Sequence, residues 1–272
     1  MFKLCFNSTT LRNIDLFEAL NLIKLNGYDG VELSLNDTHL HPYIHSHKRW
    51  QEVKTFCSDQ CIDIVCVAAG GPNLLNEEPY EPSIINPDKA KRRKRMNFLQ
   101  HCIELAQCLN SPVLNINSGK LREGMSSVDA YKYVQDGIHE LLEQSGDLIL
   151  VLEPEPDFFI GTTNEAIKLI KDIDSPRLRL NLDIGHVFCS ENDCYEKIKK
   201  ALPYARHIHI EDIKGSIHHH EIPGEGDINF QLIMKLISQS NYEHYVSVEL
   251  HHHEKLWEKA LKNSRAYLLQ NM

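Results

Sequence analysis

Sixteen of the 272 residues are histidine, and imidazole is both the commonest metal ligand and the side chain that titrates nearest neutral pH. Two triplets, His218-His219-His220 and His251-His252-His253, are internal to the chain, so neither is a terminal purification tag. A second pattern carries more chemistry. Acids and an imidazole close short apolar runs in Val151-Leu152-Glu153, Asn181-Leu182-Asp183, His207-Ile208-His209 and Ser247-Val248-Glu249. A charge in that position is unfavourable unless something pairs with it. Brought to one point, Glu153, Asp183 and Glu249 would repel one another and raise their own pKa values. One divalent cation resolves the conflict, because Glu, Asp and His are hard-to-borderline ligands suited to Mn²⁺, Mg²⁺, Co²⁺ or Zn²⁺. For any one of these residues an ordinary internal salt link is an equal reading. For all four together the metal is the stronger one.

The elements that must position these groups are short apolar, β-branched runs alternating with longer amphipathic stretches. Strands are expected at Lys3 to Asn7, Gly30 to Leu35, Ile62 to Ala68, Pro112 to Asn117, Leu148 to Glu153, Leu178 to Asp183, His207 to Ile210 and Tyr245 to Leu250, each followed by a helical pattern. Val128 to Gln144 aligns Val128, Tyr131, Val134, Ile138, Leu141 and Leu142 in one helical stripe. Another helix is expected to open at Asn86-Pro87, a cap followed by Pro at the first helical position, and to bury Leu99, Cys102, Ile103 and Ala106. Eight strand-helix units predict the α/β class and a single (β/α)₈ barrel domain over residues 1–272. In such a barrel the site lies at the carboxyl ends of the strands, where the four candidate ligands stand. The rival is an open doubly wound sheet. Its glycine fingerprint after the first strand is replaced by Asn7-Ser8-Thr9-Thr10, and no phosphate-binding Walker loop occurs.

Composition narrows the class further. Apolar residues make up 42% and charged residues 25%, ordinary values for a globular chain. The sequence contains no apolar run near the roughly 20 residues that cross a bilayer, and Met1-Phe2-Lys3-Leu4 does not open a secretory signal. A soluble, cytoplasmic protein without a membrane partner is expected. The net charge of −9 argues against a general nucleic-acid partner. The eight cysteines contain no Cys-x-x-Cys pair, so reduced thiols are expected, several of them in the core. The run Lys89, Lys91, Arg92, Arg93, Lys94 and Arg95 reads as a solvated helix face with acidic neighbours.

Six segments together carry a family resemblance. They are Gly27-Tyr28-Asp29-Gly30-Val31-Glu32-Leu33, Leu152-Glu153-Pro154, Leu182-Asp183-Ile184-Gly185-His186, His207-Ile208-His209-Ile210-Glu211-Asp212, Pro223-Gly224-Glu225-Gly226 and Val248-Glu249-Leu250. In this order the chain resembles the xylose-isomerase-like TIM-barrel superfamily, in its sugar-phosphate isomerase/epimerase group. The resemblance implies one divalent ion held by Glu153, Asp183, His209 and Glu249, with Glu153 and Glu249 also catalytic. It implies substrate contacts from His186 and from His220. His220 stands where ketose 3-epimerases place an Arg, and Phe159 stands where they place a second Glu. The endonuclease IV branch of the superfamily adds a further reading, a second metal at His186, His218 and His220.

Such a site suits proton transfer next to a carbonyl. An enolate is far more basic than a carboxylate, so a Lewis acid must stabilise the enediolate while a carboxylate removes the proton. The expected function is therefore a divalent-metal-dependent isomerase or epimerase of a small sugar or sugar-derived polyhydroxy carbonyl compound. A dehydratase or lyase acting on a keto-sugar or inositol-type substrate shares the intermediate. An endonuclease IV-like AP endonuclease is disfavoured, because its two further His ligands are replaced in Val67-Ala68-Ala69-Gly70 and Asn115-Ile116-Asn117-Ser118. A non-catalytic, metal-dependent sugar-binding protein and a homo-oligomer stay open. His39, His41, His45 and His47 read as exposed loop residues. Gly224 and Gly226 fit a phosphate cradle or a tight turn equally well.

Overall fold

The computed structural model describes residues 2–75 and 78–272; Met1, Asn76 and Glu77, which the 1–272 domain reading includes, lie outside the described residues. Eight strands close into one barrel: β1 Lys3–Asn7, β2 Gly30–Ser34, β3 Asp63–Ala68, β4 Val113–Ile116, β5 Ile149–Leu152, β6 Leu178–Asp183, β7 Ala205–Ile210 and β8 Tyr245–Val248. Each runs parallel to the next, and β1 closes the ring on β8 from Lys3↔Tyr245 to Phe6↔Val248. The (β/α)₈ TIM-barrel fold is the one the strand-helix alternation predicts, and an open sheet is excluded.

Period-two alternation sorts the strand residues between two environments. Leu180, Leu182, Ile208, Ile210, Val246 and Val248 join the large apolar cluster that includes the buried faces of the helices. Cys5, Val65, Cys66, Val113 and Val151 form a small separate cluster. The rest of the barrel interior is polar: Glu32, Asn181, His207, His209 and Ser247 are each 1% exposed or less. Groups buried that deeply must satisfy one another, and their pairing builds the floor of the site.

The helices obey local rules with two departures. Thr162 and Glu165 form a reciprocal capping box that opens the helix Thr163–Ile173, and Asp174 closes it in the left-handed conformation. The helix expected from Pro87 instead spans Lys89–Cys108, because the Asp88 carboxylate takes the Ala90 and Lys91 amides as the cap. Asn86 serves the turn before it, accepting from the Asp88 amide at 3.0 Å. In the helix Ser127–Gln144 the buried stripe starts at Ala130, and Val128 in the first turn is 79% exposed. The basic run is only partly a solvated face. Arg93 pairs with Glu140, and Arg92 lies 3.7 Å over the Tyr133 ring, whereas Arg95 is buried and donates to the Tyr80 and Pro82 carbonyls. All eight cysteines are free thiols. No described helix is long and apolar enough to cross a membrane.

Candidate metal centre and active site

Glu153 and Glu249 stand one residue beyond β5 and β8. Their amides still continue the ladder, to Ile116 O at 2.9 Å and Ile210 O at 3.3 Å. Asp183 ends β6 and His209 is the penultimate residue of β7. Four consecutive strands therefore aim four side chains at one spot. One ligand atom from each lies within 4.8 Å of all the others. His209 Nδ1 is the hub, 2.9 Å from Glu153 Oε1, 3.2 Å from Glu249 Oε2 and 3.7 Å from Asp183 Oδ2.

The remaining atoms of these groups are held by fixed partners. Asn115 Nδ2 donates to Glu153 Oε2 at 2.6 Å, and Asn7 Nδ2 donates to Glu249 Oε1 at 2.9 Å. The His186 amide donates to Asp183 Oδ1 at 2.7 Å. His209 Nε2 lies 3.0 and 2.9 Å from the two oxygens of Glu32. Outer partners of this kind set the tautomer and orientation of metal ligands. Here they leave Glu153 Oε1, Asp183 Oδ2 and Glu249 Oε2 converging on His209 Nδ1. Three carboxylates and one oriented imidazole fit a divalent ion.

The buried charges explain one another. Burial opposes ionisation of Glu32, but the imidazoles of His209 and His207 outweigh it and hold the carboxyl well below the usual range. Burial likewise opposes charge on His209, and Glu249, Glu32 and Glu153 together lift its pKa well above the ordinary value. Glu211 goes the other way. Burial and the neighbouring Asp183 carboxylate push its pKa well up. Gly185 makes room for it: a Cβ there would fall 1.7 Å from Glu211 Oε1.

Above this floor opens a cavity of about 360 Å³, the size of a small-molecule site. Tyr80, Lys120, Glu155, His186, His220 and His251 line it. His186 Nδ1 donates to Pro154 O at 3.1 Å, which turns Nε2 toward Asp183 Oδ2 at 3.5 Å and Glu155 Oε2 at 3.9 Å. Burial opposes its charge, yet Asp183 and Glu155 raise its pKa to about 9. Burial lifts Glu155 to about 7 against the pull of His186. His220 Nδ1 donates to Glu249 O at 3.0 Å, and its Nε2 stands 3.3 Å from His218 Nε2. Burial and neighbouring His251 hold His220 well below the ordinary pKa. Ligand atoms of His186, His218 and His220 also lie within 4.8 Å of one another, so the second trio picked out by sequence is brought together as well.

Some expectations change. His39 and His41 are buried rather than exposed, with Nε2 at 2.9 Å from Ile14 O and 2.8 Å from Leu74 O. Their loop folds inward because these rings satisfy backbone carbonyls. The amides of Gly224 and Gly226 are taken by Asp212 Oδ2 at 2.9 and 2.8 Å, which leaves a tight turn and no phosphate cradle. Phe159 packs against the apolar cluster. Glu155 also lines the cavity; sequence reasoning gave no role to it, nor to Glu32 and Glu211. Glu155 had a usable signal, a second acid two residues after the strand-end Glu153.

The family described as the xylose isomerase-like TIM barrel matches residues 20–269. The human putative hydroxypyruvate isomerase is 22% identical over 163 residues, 56% of this chain and 58% of that protein. The chain thus spans less than two thirds of the length of that relative. L-ribulose-5-phosphate 3-epimerase UlaE of Shigella flexneri serotype 5b is 21% identical over 227 residues, 83% of this chain and 78% of that one. Among solved structures, the IOLI protein with a bound zinc atom has a TM-score of 0.81 at 21% identity, over 99% of this chain and 98% of its own. That likeness speaks for the fold.

Proposed function

The chain belongs to the xylose isomerase-like TIM barrel family, and from that premise we propose that it is a divalent-metal-dependent isomerase or epimerase of a small sugar or sugar-derived polyhydroxy carbonyl compound. The observation that carries this reading is the convergence of Glu153, Asp183, His209 and Glu249 through atoms within 4.8 Å of one another, under a cavity of small-molecule size. The names of the two relatives, a putative hydroxypyruvate isomerase and an L-ribulose-5-phosphate 3-epimerase, agree with it. Asp183 and His209 serve as ligands; Glu153 and Glu249 are ligands that also move protons. An ion bound there supplies Lewis-acid stabilisation of negative charge on the substrate oxygens.

The two glutamates follow strands three positions apart in a ring of eight, so they approach a substrate from different sides. Glu153 or Glu249 takes the proton next to the carbonyl, an effect worth typically 10²–10⁴-fold. Return of the proton from the other side to the same carbon is epimerisation. Return to the neighbouring carbon is isomerisation. His186 and His220 hold substrate hydroxyls, and Glu155 exchanges a proton with the one nearest it. The trio His186, His218 and His220 offers a second ion position that competes with these contacts.

The test is incubation with Mn²⁺ and a panel of ketoses, their phosphates and small hydroxy-ketoacids in D₂O, followed by NMR. Carbon-bound deuterium with the carbon skeleton and all oxygens retained is the expected result. An elimination product would instead make the protein a dehydratase or lyase. Binding of sugars with no solvent exchange at carbon would make it a sugar-binding protein.

A further inference from the structure

The two histidine triplets meet outside the catalytic floor. His219 and Glu221 come from the segment after β7 and His253 from the segment after β8, and one ligand atom from each lies within 4.8 Å of the others. His253 is only 7% exposed. Its Nε2 stands 2.6 Å from the His220 carbonyl oxygen, and an oxygen there can only accept. Nε2 therefore carries the proton, and Nδ1 is left with a bare lone pair that has no hydrogen-bond partner. His219 Nδ1 is likewise shielded and without a hydrogen-bond partner, 3.3 Å from Glu221 Oε1. The frame is fixed, since Glu221 exchanges both backbone hydrogen bonds with Asp212 at 2.8 Å, and the His252 ring stacks on His219 at 5.9 Å.

We propose that His219, Glu221 and His253 form a separate binding site for a zinc-class divalent cation that ties the β7 loop to the β8 loop. An imidazole whose far N–H is donated to a backbone carbonyl is the usual geometry of a metal-ligating histidine. Two imidazole nitrogens and one carboxylate are a known zinc donor set with a fourth position open to water. Imidazole donors also favour zinc over the harder Mg²⁺ and Mn²⁺. The central site, with three carboxylates, has the harder donor set. An ion on His253 Nδ1 locks Nε2–H onto the His220 carbonyl. His220 in turn donates Nδ1–H to the Glu249 carbonyl at 3.0 Å. Occupancy thus steadies the backbone that presents His220 and Glu249 to the cavity.

The experiment uses tag-free, full-length protein preloaded with Mn²⁺ and titrated with Zn²⁺, with bound equivalents counted by native mass spectrometry. Hydrogen exchange over residues 217–221 and 251–254 is read in parallel. The wild type is expected to bind one zinc more than His219→Ala and Glu221→Gln, and to slow exchange in both loops at least several-fold on zinc addition. The His219 side chain is 43% exposed, so its removal leaves the fold intact, which an unchanged melt in EDTA verifies. His218→Ala is expected to keep this equivalent. Equal zinc counts in the wild type and His219→Ala overturn the proposal. So does an equivalent lost in His218→Ala and kept in His219→Ala, which would assign it to His186, His218 and His220.

Discussion

Glutamine at position 249 separates the two jobs proposed for Glu249, whose two carboxylate oxygens have different partners. Glu249 Oε1 accepts from Asn7 Nδ2 at 2.9 Å, while Oε2 faces His209 Nδ1 at 3.2 Å. A glutamine has one oxygen for these two acceptor positions. If that oxygen keeps Asn7, the NH₂ group points where the ion must sit. If it turns to the ion, two NH₂ groups oppose each other at Asn7, whose own Oδ1 is committed to the Thr9 amide at 2.9 Å. Either way one charge-assisted interaction is lost, about 1.5–3 kcal/mol, or roughly a ten- to 150-fold weaker Mn²⁺ complex. A further loss, about 10²–10⁴ in turnover, persists at saturating Mn²⁺ because the proton carrier is gone. Free-ion electron paramagnetic resonance measures the first, and deuterium exchange into the substrate at full loading measures the second. The double variant Asn7→Asp with Glu249→Gln restores an acceptor opposite the glutamine NH₂ and the net charge of the floor. It should recover Mn²⁺ affinity and leave turnover low. Unchanged affinity in the single variant refutes the orientation argument. Near-normal turnover at full loading refutes Glu249 as the proton carrier and passes that role to His186.

Asp183→Asn should lose metal first, with activity partly restored by excess Mn²⁺; a turnover defect that excess metal leaves untouched counts against a ligand role. Gly185→Ala forces a Cβ to within 1.7 Å of Glu211 Oε1, and overpacking by about 1–3 kcal/mol should lower Tm by roughly 2–10 °C and weaken metal binding, readable by calorimetry. His209 has a raised pKa in the fold. Its charged form therefore stabilises the metal-free fold fully below about pH 6.5, and that contribution fades as pH rises through the raised value. A metal on Nδ1 displaces the proton, so Mn²⁺ uptake at neutral pH should release about one proton per ion; calorimetric heats that do not change between phosphate and Tris exclude it. Among the thiols, exposed Cys61 should react first with a disulfide reagent, and Cys5, Cys66 and Cys102, all buried, only on unfolding.

The barrel was legible because its signal is repetitive. Eight apolar runs at regular spacing leave one economical topology, and the convergence of Glu153, Asp183, His209 and Glu249 could be read because each stands at or beside the end of such a run. Boundaries were less legible. Pro87 looked like a helix start because Asn-Pro is a good opening pair, but a better acceptor, Asp88, lay one residue further on. His39 and His41 looked solvated because a polar loop gives no sign of which rings will turn inward to meet Ile14 and Leu74 carbonyls.

Glu32 shows the deeper limit. It sits in β2 among apolar neighbours, and alternation places it inside the barrel, yet nothing local says what neutralises it. Its partners, His207 and His209, are 175 and 177 residues away in β7. They reach it only because the ring closes and a register shift between Val31 and Glu32 adjusts its height in the strand. The consequence is chemical. Glu32 holds His209 from the Nε2 side, so Nδ1 is the nitrogen presented to Glu153, Asp183 and Glu249. Glu32→Gln keeps the size but offers one acceptor oxygen to two imidazoles that now share two. Either His207 or His209 then loses its anchor, and a buried imidazole left without a partner costs about 1–3 kcal/mol. The proposed ligand site, whose four members can be named from strand ends, thus depends on a fifth residue that only the closed barrel identifies. Mn²⁺ affinity in Glu32→Gln should fall by roughly tenfold or more, with every ligand still in place. An unchanged affinity would show that His209 is oriented by its inner partners alone.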